Sequence, residues 1–244
     1  MNPEEALQEL RKQIKEKWSN YIQFTKDSFE DYHEEMTKDN HKSHNKDVEY
    51  QNSFINFIKN EKGSWQGKKA LDFGCGCGRN IKNLLDLNIF AQVDGCDISK
   101  KNIEYSKKFA EADHPGKTHT WETNGYTLEP APDNEYDFIM SHVVFQHIAN
   151  WSIRYSLLTD IHRILKPSGT TVIHFMDLDN SVGYDADYPT PGHREGLYGL
   201  FNCRVDNARN IIEDFKDIGF SQVMVNVGTD PFSHKQSYYA RGVK

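Results

Sequence analysis

Long apolar runs are missing from this sequence, and cysteine and proline are scarce. Nowhere among the 244 residues is there a stretch of about 18 apolar residues, the length a membrane-spanning helix needs. The N-terminus, MNPEEALQEL, has neither the basic start nor the apolar core of a secretory signal. Both absences lead to the expectation of a soluble, cytoplasmic protein with no membrane partner. An excess of positive charge is also lacking: 29 Lys and Arg stand against 36 Asp and Glu, a net charge of −7. That sign works against attraction to a polyanion, so no nucleic-acid partner is expected. The four cysteines are Cys75, Cys77, Cys96 and Cys203. Three of them fall in or beside one strand-turn segment, which is not the layout of a disulfide framework. Two cysteines one residue apart in a glycine-rich turn are poorly arranged to complete a tetrahedral zinc site, so no metal is expected.

Apolar residues make up only 37% of the chain, low for a compact domain, while 12% aromatics is too many for a disordered one. Polar segments must therefore dilute an ordinary core. Residues 1 to about 62 supply much of this polarity. Ala6, Leu7, Leu10, Ile14 and Trp18 recur at spacings of three and four, the stripe of an amphipathic helix. Tyr21, Ile22, Phe24, Phe29 and Tyr32 continue the apolar supply, residues 36–48 are nearly all polar, and Phe54, Ile55, Phe57 and Ile58 suggest a further helix. The segment reads as a helical extension, either padding on a sheet edge or a lid over a ligand.

From Lys69 the pattern becomes short apolar runs alternating with helices. Strands are expected at 70–73, 91–96, 118–122, 136–141 and 170–176, with helices at 80–87, 100–110 and 151–165 between them. Such alternation means βαβ units: a parallel sheet with right-handed crossovers and helices on both faces. A helix at 208–218, closed by Gly219, then leads to strand-like runs at 222–227 and 236–243, which can form an antiparallel hairpin at a sheet edge. No internal repeat is visible.

The most informative segment is Leu71-Asp72-Phe73-Gly74-Cys75-Gly76-Cys77-Gly78-Arg79-Asn80, where the first strand gives way to its helix. Its glycines permit a tight turn and close approach of a ligand to the backbone, and a helix N-terminus offers N–H groups. A dinucleotide fingerprint, G-x-G-x-x-G, would need glycine where Arg79 stands, which disfavours a nicotinamide oxidoreductase. Asp72 beside the turn would oppose a pyrophosphate but can attract an ammonium, so the favoured ligand is cationic and unphosphorylated. Asp97 ends the second strand, where a carboxylate can accept both hydroxyls of a ribose, and Ile98 can cover one face of an adenine. The competing reading of Asp97 is a cap for the helix that begins near Ser99.

With these residues the chain resembles the class I S-adenosylmethionine-dependent methyltransferases, over roughly residues 65–177 and more loosely to the C-terminus. The resemblance rests on L-D-F-G-C-G-C-G, on Asp97-Ile98, on Asn124-Gly125 where the family often has Asp-Ala, on E-Y-D-F-I-M-S-H for the fourth strand, and on R-I-L-K-P-S-G before the fifth. It implies a doubly wound α/β fold with seven mostly parallel strands, the last antiparallel, over residues 63–244, preceded by the extension at 1–62. It implies S-adenosylmethionine as cofactor, with Asp72 near its methionine part, Gly74, Cys75, Gly76 and Gly78 around it, and Asp97 on the ribose. Asn124, next to Gly125, would lie near the adenine amine, where its amide oxygen can accept a hydrogen bond, and Ser141 would lie beneath the sulfonium region.

Methyl transfer from a sulfonium is an in-line displacement, so the protein chiefly has to hold the acceptor behind the methyl and exclude water. His142, Gln146 and His147 follow the fourth strand, and His147 is the candidate base because similar proteins carry His there; the competing reading is a ring on the first turn of a helix that only packs or hydrogen-bonds. His174 reads as a strand residue with a satisfied ring. Residues 181–202, long, aromatic and glycine-rich, read as an acceptor-binding cap with Tyr184, Tyr188, His193 and Tyr198 as lining candidates, against the alternative of a surface excursion. No Asn/Asp-Pro-Pro-Tyr segment follows the fourth strand and no Pro-Cys nucleophile is present. The expectation is thus an enzyme that methylates oxygen or nitrogen of a small molecule. Alternatives are a catalytically silent cofactor-binding or interaction module and, further off, a nucleic-acid or protein methyltransferase.

Overall fold

A computed structural model describes residues 3–19, 65–148, 150–176, 208–229 and 236–244. The expected cap at 181–202, the apolar clusters between Tyr21 and Ile58, and Cys203 lie outside the described residues. In chain order the elements are α1 (Pro3–Ser19), β1 (Lys68–Phe73), α2 (Arg79–Asp86), β2 (Phe90–Asp97), α3 (Lys100–Asp113), β3 (Thr120–Glu122), β4 (Tyr136–Ser141), a 3-10 turn (Phe145–His147), α4 (Trp151–Ile164), β5 (Leu165–Met176), α5 (Ala208–Ile218), β6 (Ser221–Thr229) and β7 (Gln236–Val243). The strands form one seven-stranded sheet in the order β3-β2-β1-β4-β5-β7-β6. Strand pairs β1–β2, β2–β3 and β4–β5 are parallel, and β7 is antiparallel to both β5 and β6. This is the mostly parallel α/β sheet that alternation of elements implied, with the antiparallel last strand that the resemblance implied. The chain forms two compact units, residues 19–122 and residues 1–18 with 123–244.

In the first unit, β1 buries Ala70, Leu71, Asp72 and Phe73, and its inner positions pair with Val93 to Cys96 of β2. Helix α2 turns Ile81, Leu84 and Leu85, at spacings of three and four, into the core. Helix α3 starts at the N-cap Ser99, whose hydroxyl accepts from the Asn102 amide, as capping chemistry predicts. Its buried face is mixed: Phe109 and Ala110 are apolar, but Asn102 and Ser106 are polar and almost wholly buried. Those two polar side chains are spent on the glycine turn, as described below.

In the second unit, α4 begins at the N-cap Asn150, which accepts from the Ile153 amide, and buries Ile153, Leu157, Leu158, Ile161 and Ile164. Strand β5 starts at Leu165, earlier than the expected Thr170, because the chain enters the sheet before its Pro-Ser-Gly segment. Proline has no N–H for the ladder, and the register with β4 shifts there, between Tyr136 and Phe138. Helix α5 sets Ile211 and Phe215 inward, and Gly219 at φ 112° ends it so that Phe220 stacks on Phe215 at 4.9 Å. Helix α1 buries Ile14 and is tied to the segment after β3: Lys15 Nζ donates to the Thr123 carbonyl at 2.8 Å, and the Arg11 guanidinium lies 4.4 Å from the Tyr126 ring centroid.

Candidate functional site

The turn after β1 explains its own glycines. Gly74, Gly76 and Gly78 all have positive φ, at 73°, 52° and 91°. Only glycine takes these conformations without strain. At Gly78, the N-cap of α2, space is short as well: a Cβ would lie 2.8 Å from Ser106 Oγ and 3.0 Å from Ser106 Cα. Helix α3 therefore presses directly on the start of α2. The turn is pinned to β2 by the Gly74 and Cys75 amides, which both donate to the Cys96 carbonyl at 2.8 and 3.0 Å. Cys75 Sγ faces Ser106 Oγ at 3.7 Å, and Cys77 Sγ faces Asn102 Oδ1 at 3.5 Å. Burial first, then the nearby Asp97 carboxylate, holds the Cys75 and Cys96 thiols well above their ordinary pKa. They are neutral packing groups rather than nucleophiles. Among the described residues no group of three or more His, Cys, Asp or Glu side chains is placed to hold a metal ion.

Asp97 stitches this turn to the next one. Its Oδ2 accepts from the Gly76 amide at 3.0 Å, while Oδ1 accepts from the Ser99 amide at 2.8 Å and from Asn102 Nδ2 at 3.3 Å. The capping reading is thus half met: Asp97 holds the N–H of Ser99, and Ser99 is itself the N-cap. Asp97 is 8% exposed and the adjoining Ile98 is half-buried, so both reach the surface of the unit. Asn102 went unnoticed in the sequence; an asparagine three residues into a helix carries no signal until its neighbours are known.

Asp72 contrasts with Asp97. It is fully buried, and neither carboxylate oxygen meets a donor in hydrogen-bonding geometry. Burial is the main cause that pushes its pKa up from 3.8 to about 8. Arg79 opposes that shift, Asp97 adds to it by like-charge repulsion, and Asn80 lowers it slightly from close range without aligning as a donor. An unsatisfied buried carboxyl beside backbone opened by three glycines fits the ammonium of an amino-acid moiety. With the Asp97 carboxylate at the end of the neighbouring strand, these residues suit S-adenosylmethionine.

In the other unit Asn124 and His174 are already engaged. The Asn124 amide oxygen accepts from the Tyr126 and Thr127 amides at 3.0 and 2.8 Å, and its Nδ2 donates to Thr127 Oγ1 at 2.7 Å. This is an Asx-type turn, with Gly125 at φ 89° inside it. The Asn124 oxygen accepts from two backbone amides, and in doing so it shapes the turn. Ser141 ends β4 wholly buried. His147 is the last residue of the 3-10 turn rather than on the first turn of a helix, with its ring 5.5 Å from that of Trp18 and its Nε2 3.4 Å from Gln146 Nε2. His174 is fully buried and satisfied, as expected: Nδ1 accepts from the Val143 amide at 3.2 Å, which leaves the proton on Nε2 to donate to Ser237 Oγ at 2.8 Å. Val143 itself has φ 61°, a strained conformation for a β-branched residue. No pattern of residue types foretells that strain.

The fold and the glycine turn together restrict what this chain is, and residues 71–173 match a family profile described as a methyltransferase domain. Residues 71–173 form a methyltransferase domain, on the fold of the class I S-adenosylmethionine-dependent methyltransferases. A sterol 24-C-methyltransferase of Aspergillus fumigatus is 25% identical over 171 residues, 67% of this chain and 42% of that protein. An uncharacterised protein of Haemophilus influenzae is 29% identical over 134 residues, 54% of this chain and 47% of that one. The chain thus spans less than half the length of the curated relatives it matches. Among solved structures, the phosphoethanolamine N-methyltransferase 2 of Haemonchus contortus, in complex with phosphomonomethylethanolamine and S-adenosylhomocysteine, superposes with a TM-score of 0.62 at 17% identity. That match covers 79% of this chain and 52% of the other and shows a shared fold. No helix among the described residues is long and apolar enough to cross a membrane.

Proposed function

We propose that this methyltransferase domain transfers a methyl group to oxygen or nitrogen of a small molecule. The observation that carries the reading is the segment after β4, Ser141-His142-Val143-Val144-Phe145-Gln146-His147, which lacks the Asn/Asp-Pro-Pro-Tyr of enzymes that methylate exocyclic amines of bases or glutamine amides. The net charge of −7 supports it by disfavouring nucleic acid. So do the small acceptors named for the sterol and phosphoethanolamine enzymes that the chain resembles.

When bound, S-adenosylmethionine supplies an electrophilic methyl on a sulfonium. In this reading Asp72 pairs with an ammonium, the glycine turn offers its backbone, and Asp97 accepts from a ribose hydroxyl. Ile98, Asn124, Gly125 and Ser141 complete the set proposed around the cofactor. His147 is the proposed base, taking the acceptor's proton on a ring nitrogen. Trp18 against one side of the ring and Gln146 at Nε2 limit how far that ring turns. An amine acceptor that arrives neutral needs no base; a hydroxyl acceptor does. Residues 1–62 are proposed as the extension to a domain at 63–244, with 181–202 as the acceptor cap.

A screen of small amines, phenols and carboxylates for production of S-adenosylhomocysteine tests the proposal, together with calorimetric titration of S-adenosylmethionine, S-adenosylhomocysteine and NADH. Binding of the first two with turnover of a small acceptor is the expected result. Cofactor binding with no turnover of any acceptor would favour a silent binding module. Once an acceptor is known, His147→Ala is expected to lower kcat about 100-fold or more with cofactor affinity retained. Unaltered turnover would remove His147 as the base.

A further inference from the structure

The cradle contains one acid that the folded chain has not satisfied. Asp72 sits on a central strand, fully buried, with no donor aligned to either oxygen. Asp97, by comparison, holds three donors within 3.3 Å. Within the unit, the charged and titratable groups that face Asp72 are Arg79 at the start of α2, Asp97 at the end of β2, and the thiols of Cys75 and Cys96. Among these described groups only Arg79 is positive. Burial and a second carboxylate make the anion costly, Arg79 and the nearby Asn80 amide oppose that, and a buried acid without an aligned donor keeps its proton.

We propose that Asp72 is a neutral carboxylic acid in the ligand-free protein and gives up its proton to solvent when an ammonium-bearing ligand enters, so that cofactor binding is coupled to release of one proton. The inference rests on the reading of this turn as the cofactor cradle and adds a linkage to it. The Asp72 O–H bond breaks, the proton goes to bulk water, and the carboxylate that remains pairs with the ligand's ammonium. Neither oxidation nor transfer of any other group is involved. The upward shift of the Asp72 carboxyl to about 8 agrees with the geometry. Two consequences follow for the domain. Cofactor and product, which share the ammonium, both bind more tightly as the solution becomes less acidic, and ligands without an amino group escape the linkage.

The test is calorimetric titration of the full chain with S-adenosylhomocysteine at about pH 6.5, in two buffers of different ionisation enthalpy. About one proton released per ligand is expected, with affinity rising about tenfold per pH unit between about 6 and 7.5. 5′-Methylthioadenosine, which keeps the nucleoside and thioether but lacks the amino acid, should bind without proton release. So should S-adenosylhomocysteine in Asp72→Asn. Should that variant fold poorly or fail to bind, infrared difference spectroscopy of the ligand-free wild type decides: a buried carboxylic acid carbonyl band must appear at about pH 6.5 and vanish at about pH 9.5. Binding of S-adenosylhomocysteine with no net proton exchange, release that persists in Asp72→Asn, or an ionised Asp72 at about pH 6.5 would each overturn the proposal. Failure of S-adenosylhomocysteine to bind at all would instead defeat the cradle reading beneath it.

Discussion

At the end of β1 one carboxyl is left without an aligned donor, whereas Asn124 after β3 and His174 on β5 are already engaged. Asp72 is buried and unsatisfied, with Asp97 beside it held by three donors. Beyond β3, Asn124 spends its whole amide on a turn, and beyond β4, His174 pins a strained valine. The first region resembles a receptor with one vacancy in its hydrogen bonding; the second resembles a scaffold that shapes loops. The difference teaches that a polar residue at a strand end is a binding candidate only after its local partners have been counted. Motif position alone would rank Asp72, Asp97 and Asn124 together.

That comparison can be broken at several points. The largest effect is expected from Gly78→Ala. A methyl at φ 91°, 2.8 Å from Ser106 Oγ and 3.0 Å from Ser106 Cα, strains the turn and pushes on α3. A loss of ~4 kcal/mol in unfolding free energy is expected from backbone strain plus overpacking, measured by chemical denaturation. A wild-type stability would mean that α3 yields easily and that the turn is not rigid.

Asp72→Asn is expected to act in the opposite direction in the absence of ligand. The Asp72 carboxyl ionises near 3.8 in the unfolded chain and near 8 in the folded one, so between those values the folded state holds a proton that the unfolded state has lost. Its contribution to stability is complete below about pH 4 and declines as pH rises toward about 8. The variant should therefore be more stable than wild type by ~4 kcal/mol at about pH 7, with the difference shrinking toward pH 4. Equal slopes of stability against pH in the two proteins would place Asp72 among ordinary ionised carboxylates.

Asp97→Ala removes three internal bonds together with the carboxylate proposed to accept from a ribose hydroxyl. Cofactor affinity is expected to fall by about 1 to 3 kcal/mol, measured as Kd by calorimetry, and the melting temperature to fall with it. An unchanged Kd would confine Asp97 to stitching the turns. Asn124→Ala should have the smallest effect, about 1 kcal/mol of stability from the lost Asx turn, with Kd for S-adenosylhomocysteine within about twofold of wild type. A tenfold loss of affinity would make Asn124 a ligand contact and weaken the contrast between the regions.

Much of the fold was legible because alternation of strand and helix periods survives in the residue order. Strand β4 and helix α5 match their expected bounds, and β7 does too, since short apolar runs bounded by turn residues leave little choice. The expected β5 is five residues short because Pro167 and Gly169 look like punctuation, and only the pairing of Leu165 with Tyr136 of β4 carries the strand through them as a bulge. His147 was read onto a helix because its turn joins two elements with little sequence between them; the 3-10 geometry emerges from the kinked backbone at Val143.

By itself the sequence determined the sheet's class, the place of the glycine turn and the choice of an unphosphorylated, amino-bearing cofactor, since each depends on residue type at short spacing. Periodicity, positive-φ glycines and a carboxylate beside a turn are local properties. What the tertiary structure alone decided is which polar groups remain open. Asn102 reaches Asp97 only because α3 folds back along β2, and Asp72 loses its solvent only when the core closes around β1. Desolvation and hydrogen-bond satisfaction depend on every neighbour in space, so the same aspartate is a charged residue in the sequence and a proton-holding acid in the fold.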